Sequence, residues 1–179
     1  MTTNAKTKWA IDPGHSGVQF KVKHLAIANV SGTFKIFKGE VETTGEDFNN
    51  AQINFELDVN SLYTNHEERD NHLRSPLFFD AQQFPKITFT GQLKREGIDY
   101  TLYGDLTIRD TKSPVKMDVD FTGTGKGRFG ETRAGFEVTG KINRKHFGLN
   151  FNMLTDAGNM IVGEEIKLHF DIELIAQAG

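Results

Sequence analysis

The chain has 179 residues, 37% hydrophobic and 25% charged, with 18 Gly, 4 Pro and no Cys, the make-up of one globular domain rather than a fibre or a disordered chain. Its length suffices to bury roughly 70% of the unfolded surface without a metal or disulfide staple, and the missing cysteines exclude thiol catalysis, Cys-ligated clusters and Cys-based zinc sites. Lys+Arg 21 against Asp+Glu 24 gives a net charge of -3 with no long block of either sign, so the electrostatic footprint of a nucleic-acid binder is missing. Nor is there an uninterrupted run of about 18 apolar residues, as a spanning helix requires.

In chain order, residues 1–8 read as a loosely held N-terminus and 9–176 as a single domain. The opening segment carries no apolar signal-peptide core. As written, the expected compartment is the cytoplasm; with a signal peptide removed ahead of it, the periplasm. Period-2 alternation then dominates. It runs through Val18/Phe20/Val22, Phe34/Ile36, Ile53/Phe55/Leu57/Val59, Ile87/Phe89, Leu102/Gly104/Leu106/Ile108, Val115/Met117/Val119/Phe121, Ala134/Phe136/Val138/Gly140/Ile142 and Ile166/Leu168/Phe170/Ile172/Leu174. That is about eight strands, with Gly39 to Thr43 as a ninth if separate. Turn residues such as Asp12-Pro13-Gly14, Glu96-Gly97 and Asp110-Thr111-Lys112 separate them. Short connectors mean an all-β antiparallel sheet with one apolar face; periodicity alone does not choose between sandwich and barrel. The exception is a helical insertion around residues 64–84, where Thr64-x-x-Glu67 reads as a capping box opening a helix through about Ser75, ended by Pro76.

Two motifs fail their structural requirements. Gly125-Lys126-Gly127-Arg128-Phe129-Gly130 matches Gly-x-Gly-x-x-Gly, but strand pattern lies on both sides where a dinucleotide site needs a helix to follow, so it reads as a hairpin loop. His66-Glu67-Glu68-Arg69-Asp70 approaches a zincin helix with Asp70 in place of the second His; at best His66 and Asp70 make a loose metal site, and a solvated helix is the plainer reading. No Gly-x-Ser-x-Gly elbow is present. Neither a metal nor a catalytic residue is assigned.

Several segments together carry a family resemblance: Trp9-Ala10-Ile11-Asp12-Pro13-Gly14-His15-Ser16, Val30-Ser31-Gly32-Thr33-Phe34, Arg69-Asp70-Asn71-His72-Leu73-Arg74-Ser75, Gly104-Asp105-Leu106-Thr107-Ile108-Arg109 and Ile142-Asn143-Arg144-x-x-Phe147-Gly148. From about Trp9 to Leu174 the chain resembles the YceI-like, polyisoprenoid-binding, lipocalin-like proteins of bacteria. The resemblance implies an antiparallel lipocalin-like β-barrel whose apolar interior takes up a long isoprenoid chain, of polyprenyl or quinone type, without catalysis and without another cofactor. It also implies a homodimer and a role in transport or stress response; family members are often secreted to the periplasm.

On that reading the cavity wall is formed by Val18, Phe20, Val22, Phe34, Ile36, Ile53, Phe55 and Leu57 from the first half of the chain. Phe89, Leu102, Leu106, Ile108, Met117, Phe121, Phe136, Ile142, Phe147, Ile166, Leu168 and Phe170 come from the second, with Leu73 and Phe78 from the insertion. His24, Asp70, His72, Arg74 and Arg144 are the candidates for a headgroup site at the mouth, because polar side chains in these apolar segments need a partner. The structural alternative pairs Asp70 or Asp80 with Arg74 or Arg144 to fasten the helix to the barrel. Two other functional classes stay open: an enzyme acting on a lipid or amide with His24 or His72 as acid/base group, and a structural barrel with a filled core.

Overall fold

The computed structural model describes residues 5–45, 47–150 and 162–178. Among them eleven strands form one sheet: β1 (Thr7–Ile11), β2 (Gly17–His24), β3 (Ala28–Phe34), β4 (Phe37–Thr43), β5 (Gln52–Asp58), β6 (Leu62–Tyr63), β7 (Lys86–Glu96), β8 (Asp99–Ile108), β9 (Thr111–Lys126), β10 (Thr132–Asn143) and β11 (Val162–Ala176). One helix, α1 (Glu67–Arg74), interrupts them between β6 and β7.

Three breaks turn these pieces into eight staves of a closed antiparallel barrel. β1 and β2 form one path broken by a 3-10 turn at Pro13–His15, where proline removes a ladder donor and the Asp12 carboxylate accepts the Gly14 N–H at 3.0 Å. β5 and β6 are separated in the same way, with Asp58 accepting from the Asn60 N–H at 2.9 Å. β3 and β4 part at Lys35 and Ile36.

Closure is made by β11. Its first part pairs with β2, from Val162↔His24 to Asp171↔Gly17, and its last residues pair with β1, from Leu174↔Ile11 to Ala176↔Trp9. With β1–β4 and β10–β11 also paired, the ring has no free edge along this seam. The choice between sandwich and barrel is thereby settled in favour of the barrel.

The strand starts two residues earlier than expected: Thr7 and Lys8 pair with Thr43 and Glu42, so the N-terminus is held from Thr7 onward; residues 1–4 lie outside the described residues. The helix starts later than expected. His66 is the cap, its Nδ1 accepting the Arg69 N–H at 3.1 Å, because the Thr64 hydroxyl is engaged elsewhere, donating to the Asp70 carboxylate. Its end agrees with expectation, at Ser75 just ahead of Pro76. Ile36, placed inside by alternation, is 61% exposed. It sits in the β3–β4 break with its N–H on Ser61 Oγ and its carbonyl on the Asp58 N–H, and Phe37 takes over the interior position.

One end of the barrel is plugged by aromatics. Phe48, from the β4–β5 connection, is buried with ring centroids 5.1 Å from Trp9, 4.8 Å from Phe136 and 6.0 Å from Phe121. Its N–H donates to Tyr100 Oη at 3.2 Å, and the loop is tied to β7 by Asn50 N–H to Leu93 O and by an Arg95–Asp47 ion pair of 2.9 Å. Phe121 therefore belongs to this floor and not to the cavity wall. Phe147 is likewise off the wall: it is 2% exposed in the 3-10 turn Arg144–Phe147 that follows β10, where alternation has ended.

The seam carries one charged clamp. Arg133 Nη1 donates to Asp12 at 2.8 Å and to Glu173 at 2.7 Å, while the Asp12 N–H bonds the Glu173 carbonyl. The bond from Arg133, then that from His15, holds the Asp12 carboxyl at about 2 instead of 3.8. A depressed folded-state value means that the clamp stabilises fully above the ordinary carboxyl range and loses its effect as pH falls through about 2. Arg133→Gln is accordingly expected to lower Tm at neutral pH, with the deficit shrinking between about pH 4 and pH 2; a deficit constant over that interval would contradict the clamp. Phe48→Ala is expected to cost roughly 3–5 kcal/mol in a urea titration, whereas a cost under about 1 kcal/mol, ordinary for a surface loop position, would contradict the floor.

Candidate functional site

Above the aromatic floor the barrel encloses a cavity of about 460 Å³. Strand alternation builds its wall. Val18, Phe20 and Val22 face it from β2, Phe34 from β3, Ile53, Phe55 and Leu57 from β5, and Phe89 from β7. β8 supplies Leu102, Leu106 and Ile108, β9 Met117, β10 Phe136 and Ile142, and β11 Ile166, Leu168 and Phe170. Ile36, Phe121 and Phe147 are the expected wall residues that do not line it. Ile11, Val41 and Leu149 line it and were not anticipated: the first two depend on closure through β1, and Leu149 lies outside the regular strands.

Phe89 owes its position to a glycine pair. Gly91 and Gly104 face each other across β7 and β8, and a Cβ on either would come within 2.5 Å of the Phe89 ring and 2.4 Å of a backbone carbonyl. Their bare backbone lets the ring lie along the wall.

The insertion covers the opposite end. Leu73, Phe78 and Phe79 border the cavity, with the Phe79 ring edge-on to Phe34 at 6.2 Å. It is held by Arg109 Nη1 to the Phe78 carbonyl at 3.2 Å and by Arg74 Nη2 to the Leu62 carbonyl at 2.7 Å. Thr64 anchors α1: its N–H and hydroxyl both donate to Asp70, while Arg69 donates through Nε to Thr64 Oγ1 at 2.8 Å and through Nη2 to its carbonyl at 2.6 Å.

The expected mouth residues therefore divide. His24, His72 and Arg144 line the cavity; Asp70 and Arg74 do not. Asp70 is 4% exposed and bound to Thr64, and Arg74 donates through Nη2 to the Leu62 carbonyl and through Nη1 to Asn71. Both fasten the helix, but through Thr64 and Leu62 rather than through a pair with each other, because strand-end groups at 62–64 lie against the first and last turns of α1. Arg69, unforeseen, takes a place in the lining; it precedes His72 by three residues, so the two share a helix face.

Arg144 is 2% exposed and donates to the carbonyls of Leu149 at 2.6 Å, Gly163 at 2.9 Å and Val162 at 3.2 Å. Burial pulls its pKa below the ordinary value while Glu164 acts in the opposite sense, and a guanidinium remains charged at neutral pH all the same. His24 pairs in register with Val162, on the same strand face as Val22 and Phe20. His72 meets the Phe78 ring at 5.5 Å.

The loose metal pair is committed elsewhere, His66 to the Arg69 N–H and Asp70 to Thr64. Asp12, His15 and Glu173 converge, but both carboxylates already pair with the Arg133 guanidinium; Glu137, His169 and Asp171 cluster on the outer strand face. The Gly125–Gly130 segment closes the β9–β10 hairpin, with Gly127 N–H on the Glu131 carbonyl. No helix among the described residues is long and apolar enough to cross a membrane.

The sequence and the barrel both have known counterparts. A UPF0312 protein of Staphylococcus epidermidis is 36% identical over 168 residues, 93% of this chain and 96% of that protein. The crystal structure of Burkholderia cenocepacia BcnA superposes with a TM-score of 0.78 at 22% identity, over 91% of this chain and 98% of the other. A polyisoprenoid binding domain from Saccharophagus degradans, implicated in plant cell wall breakdown, superposes with a TM-score of 0.69 at 12% identity, over 98% of this chain and all of that one. The family model of the YceI-like domain matches residues 9–174. This chain is a member of the YceI-like family.

Proposed function

We propose that the protein is a non-catalytic carrier that holds a long apolar isoprenoid lipid, of polyprenyl or quinone type, inside the barrel. The observation that carries this reading is the cavity itself: about 460 Å³ of space, closed by aromatics at one end and walled by aliphatic and aromatic side chains. Its volume lies within the roughly 300–1,000 Å³ of small-molecule sites. The polyisoprenoid binding domain of S. degradans shares this fold and supports the same ligand class here. Neither serine nor carboxylate lines the cavity among the described residues, and the Thr64 hydroxyl is bound to Asp70, which favours binding over turnover.

The physics of the wall sets the selectivity. Apolar side chains offer no oriented donors, so chain length, width and flexibility decide what fits. Each buried methylene contributes about 0.8 kcal/mol, so a tail of ~15 carbons gains on the order of 10 kcal/mol before ordering costs of several kcal/mol. The tail supplies most of the affinity on this account.

Leu168→Trp is expected to fill part of the void from the middle of β11. Geranylgeraniol, followed by displacement of an apolar fluorescent dye, should bind about tenfold more weakly, a loss of about 1.4 kcal/mol, while Tm holds or rises. Unchanged affinity in a folded Leu168→Trp protein would place the lipid outside the barrel and contradict the reading.

A further inference from the structure

The β2–β3 hairpin lies at the mouth end of the barrel, where His24 pairs with Val162, and its tip is apolar and exposed. Every residue from His24 to Asn29 is exposed, a stretch that contains Leu25, Ala26, Ile27 and Ala28 in succession; Ile27 is 81% exposed. Such a run is out of place on a water-facing surface unless it has a function. The turn itself does not call for these residues. Leu25 and Ala26 take φ of 54° and 59°, in a turn closed by the Ile27 N–H on the His24 carbonyl at 3.2 Å. Asn-Gly adopts that conformation readily, whereas leucine and alanine do so under strain. At the floor end the exposed apolar residues are single: Ile98 between Gly97 and Asp99, and Phe129 between Arg128 and Gly130, a pattern that needs no partner.

Lysines stand behind the tip. Lys141, Lys167 and Lys21 are in direct register across β10, β11 and β2 on the outer face, and Lys23 is the next outward position towards the tip. Like charges opposite one another on a sheet repel. Lys141 reaches Glu165 at 3.7 Å and Lys145 pairs with Glu164 at 2.7 Å, so both acids at this end of β11 already face a cation. Lys21 and Lys23 look across to Ser31 and Asn29 on β3, and with Lys167 they form no ion pair among the described residues.

We propose that the mouth end of the barrel docks on a bilayer containing anionic phospholipid, with residues 25–28 in the interface and Lys21, Lys23 and Lys167 against the headgroup phosphates. The order of groups matches the layering of such a bilayer, whose anionic surface covers an apolar interior. Lys23 stands about 7 Å behind Leu25 along the strand and Lys21 about 13 Å, and an apolar face enters the interface about 5–10 Å deep. With the tip seated, Lys23 is level with the headgroups, and Lys21 and Lys167 lie within about one Debye length of them. This rests on the lipid-carrier reading and extends it: the open end of the barrel faces the bilayer, and cargo passes between the two without crossing water.

The test is flotation with vesicles of phosphatidylcholine, alone or with one part phosphatidylglycerol to two of phosphatidylcholine. The anionic vesicles are expected to bind the protein at least about tenfold more tightly, with the difference shrinking as salt is raised. Leu25→Asn combined with Ala26→Gly should weaken that binding about tenfold while Tm holds or rises, because both replacements suit the turn. Lys21→Gln combined with Lys167→Gln should narrow the preference for anionic vesicles, and Phe129→Ser, at the opposite end, should change nothing. Binding to neither vesicle, equal binding to both, or binding unchanged in the Leu25/Ala26 double variant would overturn the docking; loss of binding in a folded Phe129→Ser protein would place the contact at the floor end and overturn it too. A dimer that becomes monomeric in the Leu25/Ala26 double variant, without vesicle binding, would assign the tip to a second copy of the chain instead. Geranylgeraniol binding, measured by dye displacement without vesicles, separates the two readings. Retained where docking fails, it leaves the carrier standing; absent where docking holds, it refutes the carrier and the passage of cargo with it.

Discussion

Closure of the sheet through β11 is the constraint on which everything else rests. Fifteen residues from Val162 to Ala176 pair with β10 on one side and with β2 and then β1 on the other. β2 and β1 lie end to end on this edge because the Asp12 turn joins them into one stave. Arg133 then locks that turn to β11 with bonds to Asp12 and Glu173. An open sheet of the same strands would expose a row of backbone donors and acceptors and would have no inside.

Closing eight strands leaves an interior just wide enough for side chains or for one small ligand, and this protein divides it between the two. At one end the space is filled by Trp9, Phe48, Tyr100, Phe121 and Phe136 in mutual ring contact. Towards the other it is left open and covered by an insertion that reaches back through Leu73, Phe78 and Phe79. Aromatic packing is thus concentrated at the floor, and the open space lies between the floor and the insertion, whose polar groups are held by backbone carbonyls and by Thr64.

Much of this was legible in the residues. Strict alternation placed Phe20, Phe55, Leu106 and Phe170 on the correct face, because a half-buried strand has a period of two and its register follows from burial. It failed where the backbone is irregular. Ile36 continues the pattern of Phe34, but the break between β3 and β4 turns it outward. Phe48 sits in a connection with no periodicity, so nothing marked it as the plug of the barrel. Phe121 alternates correctly yet lies beyond the end of the cavity, since alternation reports face and not depth. At the mouth, residue type singled out Asp70 and Arg74 along with His72, but only the fold reveals that strand-end groups at Thr64 and Leu62 absorb the first two. Arg69 could have been found by its three-residue spacing from His72.

The central claim is that the barrel holds a long-chain lipid, and the most direct measurement is of what the protein carries. Freshly purified protein would be denatured and extracted with organic solvent, and the extract compared by mass spectrometry with a mock purification. The account predicts one enriched long-chain lipid at near-stoichiometric yield, lost in a variant whose cavity is filled. An extract indistinguishable from the mock, from protein that also fails to take up an added isoprenoid, would contradict it.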